Sequence, residues 1–327
     1  MSQHHHDHSH HHHHHSDEIR VGEPIRLAPG VLQIDTLLGE WERMTAGYLI
    51  EGTMPVLVET GAQSSAPVVL ESLRRLGLDP KDLAGIVVTH IHLDHAGGVG
   101  DVAAAYPNAT VYVHEKGARH LVDPSKLIAS ASLVYGELLD SLYGRMDATP
   151  QERVHVLDDE EEIALGKGRV LRAIDSPGHA KHHIGLLDSD SGILFAGDAV
   201  GVKLPDGGRL RPSTPPPDFN MDQALVSLAK FGAHHPSGIA LAHYGLLNEP
   251  DSLLAEAATT LQAWVATAEA AWREGRDIAQ ALADEYDVSA DEIPIEYRDK
   301  LEVLNGFHSN AAGMRRYFEK RIEPSES

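Results

Sequence analysis

The chain has 327 residues, 42% of them hydrophobic, and a formal net charge of -22 at pH 7. That length can bury one large core, or one core with an appendage, and no apolar run approaches the roughly 18 to 20 residues that a membrane span requires. There is no cysteine, so disulfides, thiolate nucleophiles and Cys-held zinc or iron–sulfur sites are excluded, and the acidic balance argues against a nucleic-acid groove.

The opening MSQHHHDHSHHHHHHS has no apolar segment of the kind a secretory signal needs. Residues 1–18 read as a purification tag or a His-rich disordered tail, which takes ten of the 23 histidines and leaves 13. Next come VLQI, AGYLIEG and PVLVETG, short β-prone runs separated by Gly and Pro, which predict a strand meander. APVVLESLRRLGLDP places Val69, Leu73 and Leu76 at helical spacing and stops at Gly77 with Pro80 beyond. AGIVVTH is a continuous apolar run typical of a strand buried on both faces, and it delivers His90 at its end.

A helix over GVGDVAAAYP, a strand over TVYVHE and a helical insertion from about 117 to 147 follow. Strands are expected around VHVL, EEIALG, RVLRAID, HIGLLDSD and GILFAGDAV, the last two joined as a hairpin at Asp190-Ser191-Gly192. RLRPSTPPPDFN is a stiff loop, because its prolines lack donors and fix φ. MDQALVSLAKFG reads as a helix, GIALAHYG as a strand and SLLAEAATTLQAWVATAEAAWREG as a long helix, with a charged helical remainder. The expected organisation is a strand-rich α/β body over 19–250 and a helical C-terminal cap over 251–327. Leu261, Trp264 and Trp272 on the long helix offer apolar surface for a homodimer or for packing on the body.

The chemistry concentrates in THIHLDHAGG. His90, His92, Asp94 and His95 put four metal-capable side chains into six positions at a strand-to-loop junction, and Ala96, Gly97 and Gly98 let backbone pack closely against them. Thr89 is placed to orient the loop through a hydrogen bond. Three more candidates each close a short apolar run: His179 after a Pro-Gly turn, Asp198 after Gly197, and His243 in IALAHYG.

In the order HxHxDH (His90 to His95), His179, Asp198 and His243, the chain resembles the metallo-β-lactamase superfamily over about residues 25–250. The resemblance implies a four-layer αββα sandwich with a helical C-terminal extension and the site at one edge between the sheets. It implies that His90, His92 and His179 hold one metal ion, that Asp94, His95 and His243 hold the other, and that Asp198 bridges them. Imidazole and carboxylate donors suit zinc, with iron or manganese as alternatives. Two such ions can share a hydroxide that attacks a polarised bond. Two dications, two aspartates and a hydroxide leave a local charge of roughly +1 inside an acidic protein.

Redox members of the superfamily usually carry Glu where His92 stands, which directs the expectation to a hydrolase of a carboxylic ester, lactone or phosphoester, with Asp94 and Asp198 in catalytic roles. Lactonases usually place a Tyr three residues after the bridging Asp; here that residue is Gly201. Two alternatives stand beside this reading: a glyoxalase II-like thioesterase, for which Arg315, Arg316, Lys320 and Arg321 supply basic charge, and an iron-dependent persulfide-dioxygenase-like oxidoreductase. His182 and His183 are candidates to steady a ligand or touch substrate, Tyr244 to donate to an oxyanion, and His308 to reach the pocket from the cap. A small-molecule substrate, no nucleic acid or membrane partner and a cytoplasmic location complete the expectation.

Overall fold

The computed structural model describes residues 18–205, 208–288 and 293–323, so the N-terminal stretch read as a tag lies, but for Glu18, outside the described residues. Among the described residues thirteen strands form two sheets. The first runs in order β1 (Ile25–Ala28), β2 (Val31–Asp35), β3 (Ala46–Ile50), β4 (Val56–Val58), β5 (Gly85–Val87), β6 (Thr110–His114) and β7 (Val154–Leu157). It is antiparallel from β1 to β4 and parallel from β4 to β7. The second holds β8 (Glu162–Gly166), β9 (Arg169–Asp175), β10 (Ile184–Asp188), β11 (Ile193–Gly197), β12 (Gly238–Leu241) and β13 (Gly245–Leu247), ordered 13-12-11-10-9-8. It is antiparallel except where β11 and β12 run parallel.

The helices are α1 (Ala66–Arg75), α2 (Leu93–Ala96), α3 (Val99–Ala105), α4 (Glu115–Val122), α5 (Ser125–Tyr135), α6 (Met221–Ala233), α7 (Pro250–Arg273), α8 (Ile278–Tyr286), α9 (Ile295–Asn305) and α10 (Phe307–Ile322). Alternation along the strands builds the layers. Tyr48 and Ile50 of β3 join Leu171, Leu186, Phe195 and Ala240 in the core between the sheets. Leu49, between them, turns to the outer face, where Val69, Leu73, Val99 and Val102 of α1 and α3 cover it. Leu228 and Phe231 of α6 and Leu253, Leu254 and Ala257 of α7 cover the outer face of the second sheet. Each fully buried Leu, Ile or Phe contributes about 1.5–3 kcal/mol, and the result is the four-layer α/β sandwich with helical extension.

The hairpin expected at Asp190-Ser191-Gly192 joins β10 to β11, with Leu186 opposite Phe195. The insertion starts slightly earlier than expected: His114 accepts the Lys116 N–H at 2.9 Å and caps α4 there. It continues through α5 to one wide turn, Leu139–Tyr143. The Pro-rich loop has no strand of its own, only a bridge between Val202 and Arg211. β13, a three-residue strand, is too short to stand out in the sequence. The long helix α7 belongs to two places, since beyond Ala257 its Leu261, Trp264, Val265 and Ala268 pack with α8 and α10.

Candidate metal centre

Each of the seven candidate ligands follows the C-terminal end of a strand: His90, His92, Asp94 and His95 after β5, His179 after β9, Asp198 after β11 and His243 after β12. The structure brings all seven to one edge. His179 Nε2 lies 3.1 Å from His92 Nδ1, and His243 Nε2 lies 2.8 Å from Asp94 Oδ2. Asp198 stands between the two groups, with Oδ2 at 3.0 Å from His95 Nε2 and 3.5 Å from both His90 Nε2 and His179 Nε2. Its Oδ1 is 3.8 Å from His243 Nε2. Two sets of three donors, His90/His92/His179 and Asp94/His95/His243, each converge closely enough to hold one ion.

Local sequence makes this approach possible. Gly197 has φ +53, and a Cβ there would fall 2.4 Å from Thr89 Oγ1 and 2.6 Å from His183 Nε2. Only glycine places Asp198 against the histidine loop.

The imidazoles are aimed by hydrogen bonds to their far nitrogens. His95 Nδ1–H donates to Glu59, His179 Nδ1–H to the Ser213 carbonyl at 3.0 Å and His243 Nδ1–H to the Met44 carbonyl at 2.7 Å. Thr89 Oγ1 is 2.9 Å from His90 Nδ1. The carboxylate and carbonyl contacts fix the tautomers of His95, His179 and His243, and all four contacts turn the other nitrogen inward. The consequence is visible in unmet bonding capacity: among the described residues, His90 Nε2, His95 Nε2 and Asp198 Oδ1 are buried with no hydrogen-bond partner. Leaving such atoms orphaned costs about 1–3 kcal/mol apiece, and a cation satisfies all of them, so the donor set fits divalent metal.

Burial, followed by repulsion from neighbouring imidazoles, pushes His90 well below its usual range and His92 down to about 3. Burial also lowers His179. These rings are neutral, the form that ligates. Burial opposes charge on His95 and His243 too, but the Asp198 and Asp94 carboxylates outweigh it and raise both. Burial likewise works against an ionised Asp198, and His95 and His243 overcome it.

The remaining candidates separate. His183 is buried; its Nε2 accepts the Asp198 N–H at 3.2 Å, and its Nδ1 faces Ser176 Oγ at 2.8 Å. His182 Nδ1 accepts the Ile91 N–H at 3.2 Å. Both therefore brace ligand-bearing backbone. Tyr244 packs between the sheets with its hydroxyl toward Gln33, and His308 is exposed on α10. Neither joins the cluster. Lys320 donates to the Pro217 carbonyl of the Pro-rich loop at 2.6 Å, Arg316 pairs with Glu323, Arg321 bonds Tyr317 and Arg315 is exposed, so none of the four joins the cluster. Leu261 and Trp264 are buried inside the cap and Trp272 stacks on Phe318.

Sequence reasoning missed Glu59, whose signal is a lone acid closing the apolar run PVLV. It also missed Tyr135 and Tyr143 of the insertion, whose rings lie 4.6 Å apart. Burial and then the nearby Asp94 carboxylate push the Tyr135 phenol up to about 12, and burial, Tyr135 and Asp94 raise Tyr143 further.

Two facing mixed sheets, helices on both outer faces and a histidine–aspartate centre at one edge define an αββα metal-site sandwich. The chain belongs to the metallo-beta-lactamase superfamily, whose family model matches residues 41–243. It is 34% identical over 167 residues to the metallo-beta-lactamase fold-containing protein ST1585 of Sulfurisphaera tokodaii, covering 50% of this chain and 61% of that one. A crystal structure of the archaeal ST1585 superposes with a TM-score of 0.67 at 26% identity, covering 88% of this chain and 98% of the other. A hydroxyacylglutathione hydrolase of Serratia proteamaculans is 29% identical over 173 residues, 53% of this chain and 52% of its own. A metallo-beta-lactamase family protein of Thermus thermophilus, TTHA1429, shares the fold with a TM-score of 0.63 at 22% identity, covering 90% and 95%. Superfamily and relatives together indicate a metallo-hydrolase. No helix among the described residues is long and apolar enough to cross a membrane.

Proposed function

We propose that the protein is a dinuclear metal-dependent hydrolase that cleaves an ester-type bond, a carboxylic ester, lactone or phosphoester, in a small molecule. The observation that carries this reading is the paired donor set: two three-residue groups converge with Asp198 within 3.0–3.8 Å of members of both, and an inward-facing atom of each group is buried without a hydrogen-bond partner among the described residues. His90, His92 and His179 would hold one ion, Asp94, His95 and His243 the other, with Asp198 reaching both. Bound zinc, or iron or manganese, would lower the pKa of water toward neutrality and polarise a carbonyl or phosphoryl oxygen.

The chain's own residues supply position and proton handling. Glu59, Ser213 and Met44 keep the Nδ1 protons of His95, His179 and His243 outward, so no ring can turn its lone pair away. His92 and Asp94 are the two of the seven that are partly open to solvent, which makes theirs the side from which substrate arrives. Asp94 Oδ2 is engaged by His95 and His243, which overcome burial and hold the carboxylate ionised; Asp94 would assist proton transfer to the leaving oxygen. Tyr135 and Tyr143, whose phenols feel the Asp94 charge, are the insertion residues nearest to that side. The thioesterase alternative has less support from α10, where Lys320 is bonded to the Pro217 carbonyl, Arg316 to Glu323 and Arg321 to Tyr317, which leaves the exposed Arg315.

A metal-controlled panel of p-nitrophenyl esters, lactones, phosphodiesters, phosphotriesters and glutathione thioesters tests the reading. Metal-dependent turnover of an oxygen ester, lost in Asp198→Ala, is the expected result. Thioester turnover alone, or thiol-dependent oxygen uptake by an iron-loaded protein, overturns it.

A further inference from the structure

His179 is held from outside its own sheet. The carbonyl that takes its Nδ1–H belongs to Ser213, in the Pro-rich loop that has only the Val202–Arg211 bridge for a ladder. Prolines stiffen such a loop without tying it down, since they remove donors. The tie comes from the C-terminal cap, about a hundred residues later in the chain.

Asn305, the last residue of α9, donates from Nδ2 to the Pro212 carbonyl at 3.0 Å. Asn310 Oδ1, in the first turn of α10, accepts both the Thr214 N–H and the Thr214 hydroxyl at 2.8 Å. Asn310 Nδ2 in turn donates to the Gly306 carbonyl at 3.2 Å and to Asn305 Oδ1 at 3.3 Å. Thr214, Asn305 and Asn310 are all buried, at 1%, 3% and 2% exposure. One turn further on, Gly313 lies so near the loop that a Cβ would fall 1.6 Å from the Thr214 carbonyl oxygen. Arg211 completes the grip, 3.3 Å from Glu302 Oε1 with its guanidinium 4.3 Å from the Phe307 ring centre. Carbonyls and amides on both sides of Ser213 are thus fixed by the α9–α10 corner.

We propose that Asn310 is a positioning residue of the metal centre: acting through Thr214 and Ser213 on His179, it makes the C-terminal cap a determinant of how tightly the His90/His92/His179 group holds its ion. The inference rests on the reading of His179 as a ligand. It predicts coupling strongest at one of the two donor groups, because Ser213, flanked by the gripped Pro212 and Thr214, bonds the His179 ring itself, whereas the loop meets His243 only through backbone, Lys203 N–H to the His243 carbonyl at 2.7 Å beyond the Val202–Arg211 bridge.

The test measures stepwise zinc affinity by chelator competition on the full chain, so that the His-rich tail is common to every variant and cancels. His179→Ala identifies the step that His179 serves. Asn310→Ala and Thr214→Val are each expected to weaken that step about 10–100-fold, with the other step changed less than about twofold and the double variant no worse than the singles. Thr214→Ser, which keeps the hydroxyl, restores wild-type affinity. Should Asn310→Ala fail to fold, the Thr214→Val and Thr214→Ser pair decides alone. An unchanged step in Thr214→Val, or equal weakening of both steps, overturns the inference while leaving the ligand set intact. Loss of neither step in His179→Ala overturns the ligand reading itself, and the inference with it.

Discussion

Glu59 Oε2 meets His95 Nδ1 at 2.5 Å while its other oxygen accepts the Thr89 N–H at 2.7 Å. One buried carboxylate at the end of β4 therefore fixes both the start of the ligand loop and the last histidine in it. Glu59→Gln removes the charge and keeps the shape. It is expected to weaken zinc binding about 10–100-fold, read as zinc retained after dialysis against a competing chelator. Retention equal to wild type would show that His95 is aimed by packing alone.

Metal removal should act on activity and on stability together. Stripping with chelator is expected to take ester hydrolysis to background and readdition of zinc to restore it. Because a cation binds the folded state, saturation at 100 times its Kd stabilises by about 2.7 kcal/mol, so the stripped protein should melt at a lower temperature. Full hydrolytic activity in protein shown by elemental analysis to hold no metal would rule out the proposed chemistry.

Away from the centre, Arg169 holds the buried Asp188 through two contacts, at 2.8 and 2.5 Å. Burial works against the charged carboxylate, but Arg169 and Ser191 prevail and lower its pKa. A depressed carboxylate stabilises the fold above its unfolded pKa of about 3.9 and loses that contribution as pH falls through the lower folded value. Asp188→Asn should cost up to about 3–5 kcal/mol at pH 7 by taking the buried charge from Arg169, which keeps only Asp190 at 3.8 Å. The gap in urea midpoint between the two proteins should narrow in acid below that unfolded value. A gap that is constant with pH would contradict the pairing.

Gly197 and Gly168 offer a matched comparison. Both have positive φ, +53 and +80, but only at Gly197 would a Cβ collide with neighbours; at Gly168 nothing lies within 4 Å. Gly168→Ala should cost about 1–2 kcal/mol from backbone conformation alone. Gly197→Ala adds overpacking of about 1–3 kcal/mol and should also reduce zinc content by moving Asp198. Equal unfolding free energies for the two variants would remove the close approach as a cause.

The body of the fold was legible because its strands are short apolar runs that end in turn residues, and the chemistry sits on those ends. His90, His179, Asp198 and His243 could be placed without coordinates for that reason. The supports were not legible. Asn305 and Asn310 look like polar positions on a solvated helix, and their value appears only when the Pro-rich loop is laid against them. His308 fails for the converse reason: it was singled out by chemical type, yet two residues from Asn310 on a helix is a turn of roughly 200°, and that puts it on the water side. Tyr244 follows a ligand but packs into the inter-sheet core. Long-range partnerships such as Glu59 with His95 carry no local periodicity, so only a charge out of place in an apolar run betrays them.

The helix Pro250–Arg273 starts as the outer wall of the second sheet and ends inside the cap. Its continuity means that the C-terminal quarter cannot be exchanged like a cassette. A graft joined at residue 250 would strip Leu253, Leu254 and Ala257 from the sheet that carries Asp198 and His243. A junction near Gly275, in the turn before α8, leaves that wall in place, so swaps between relatives should begin there and carry their own loop contacts with them.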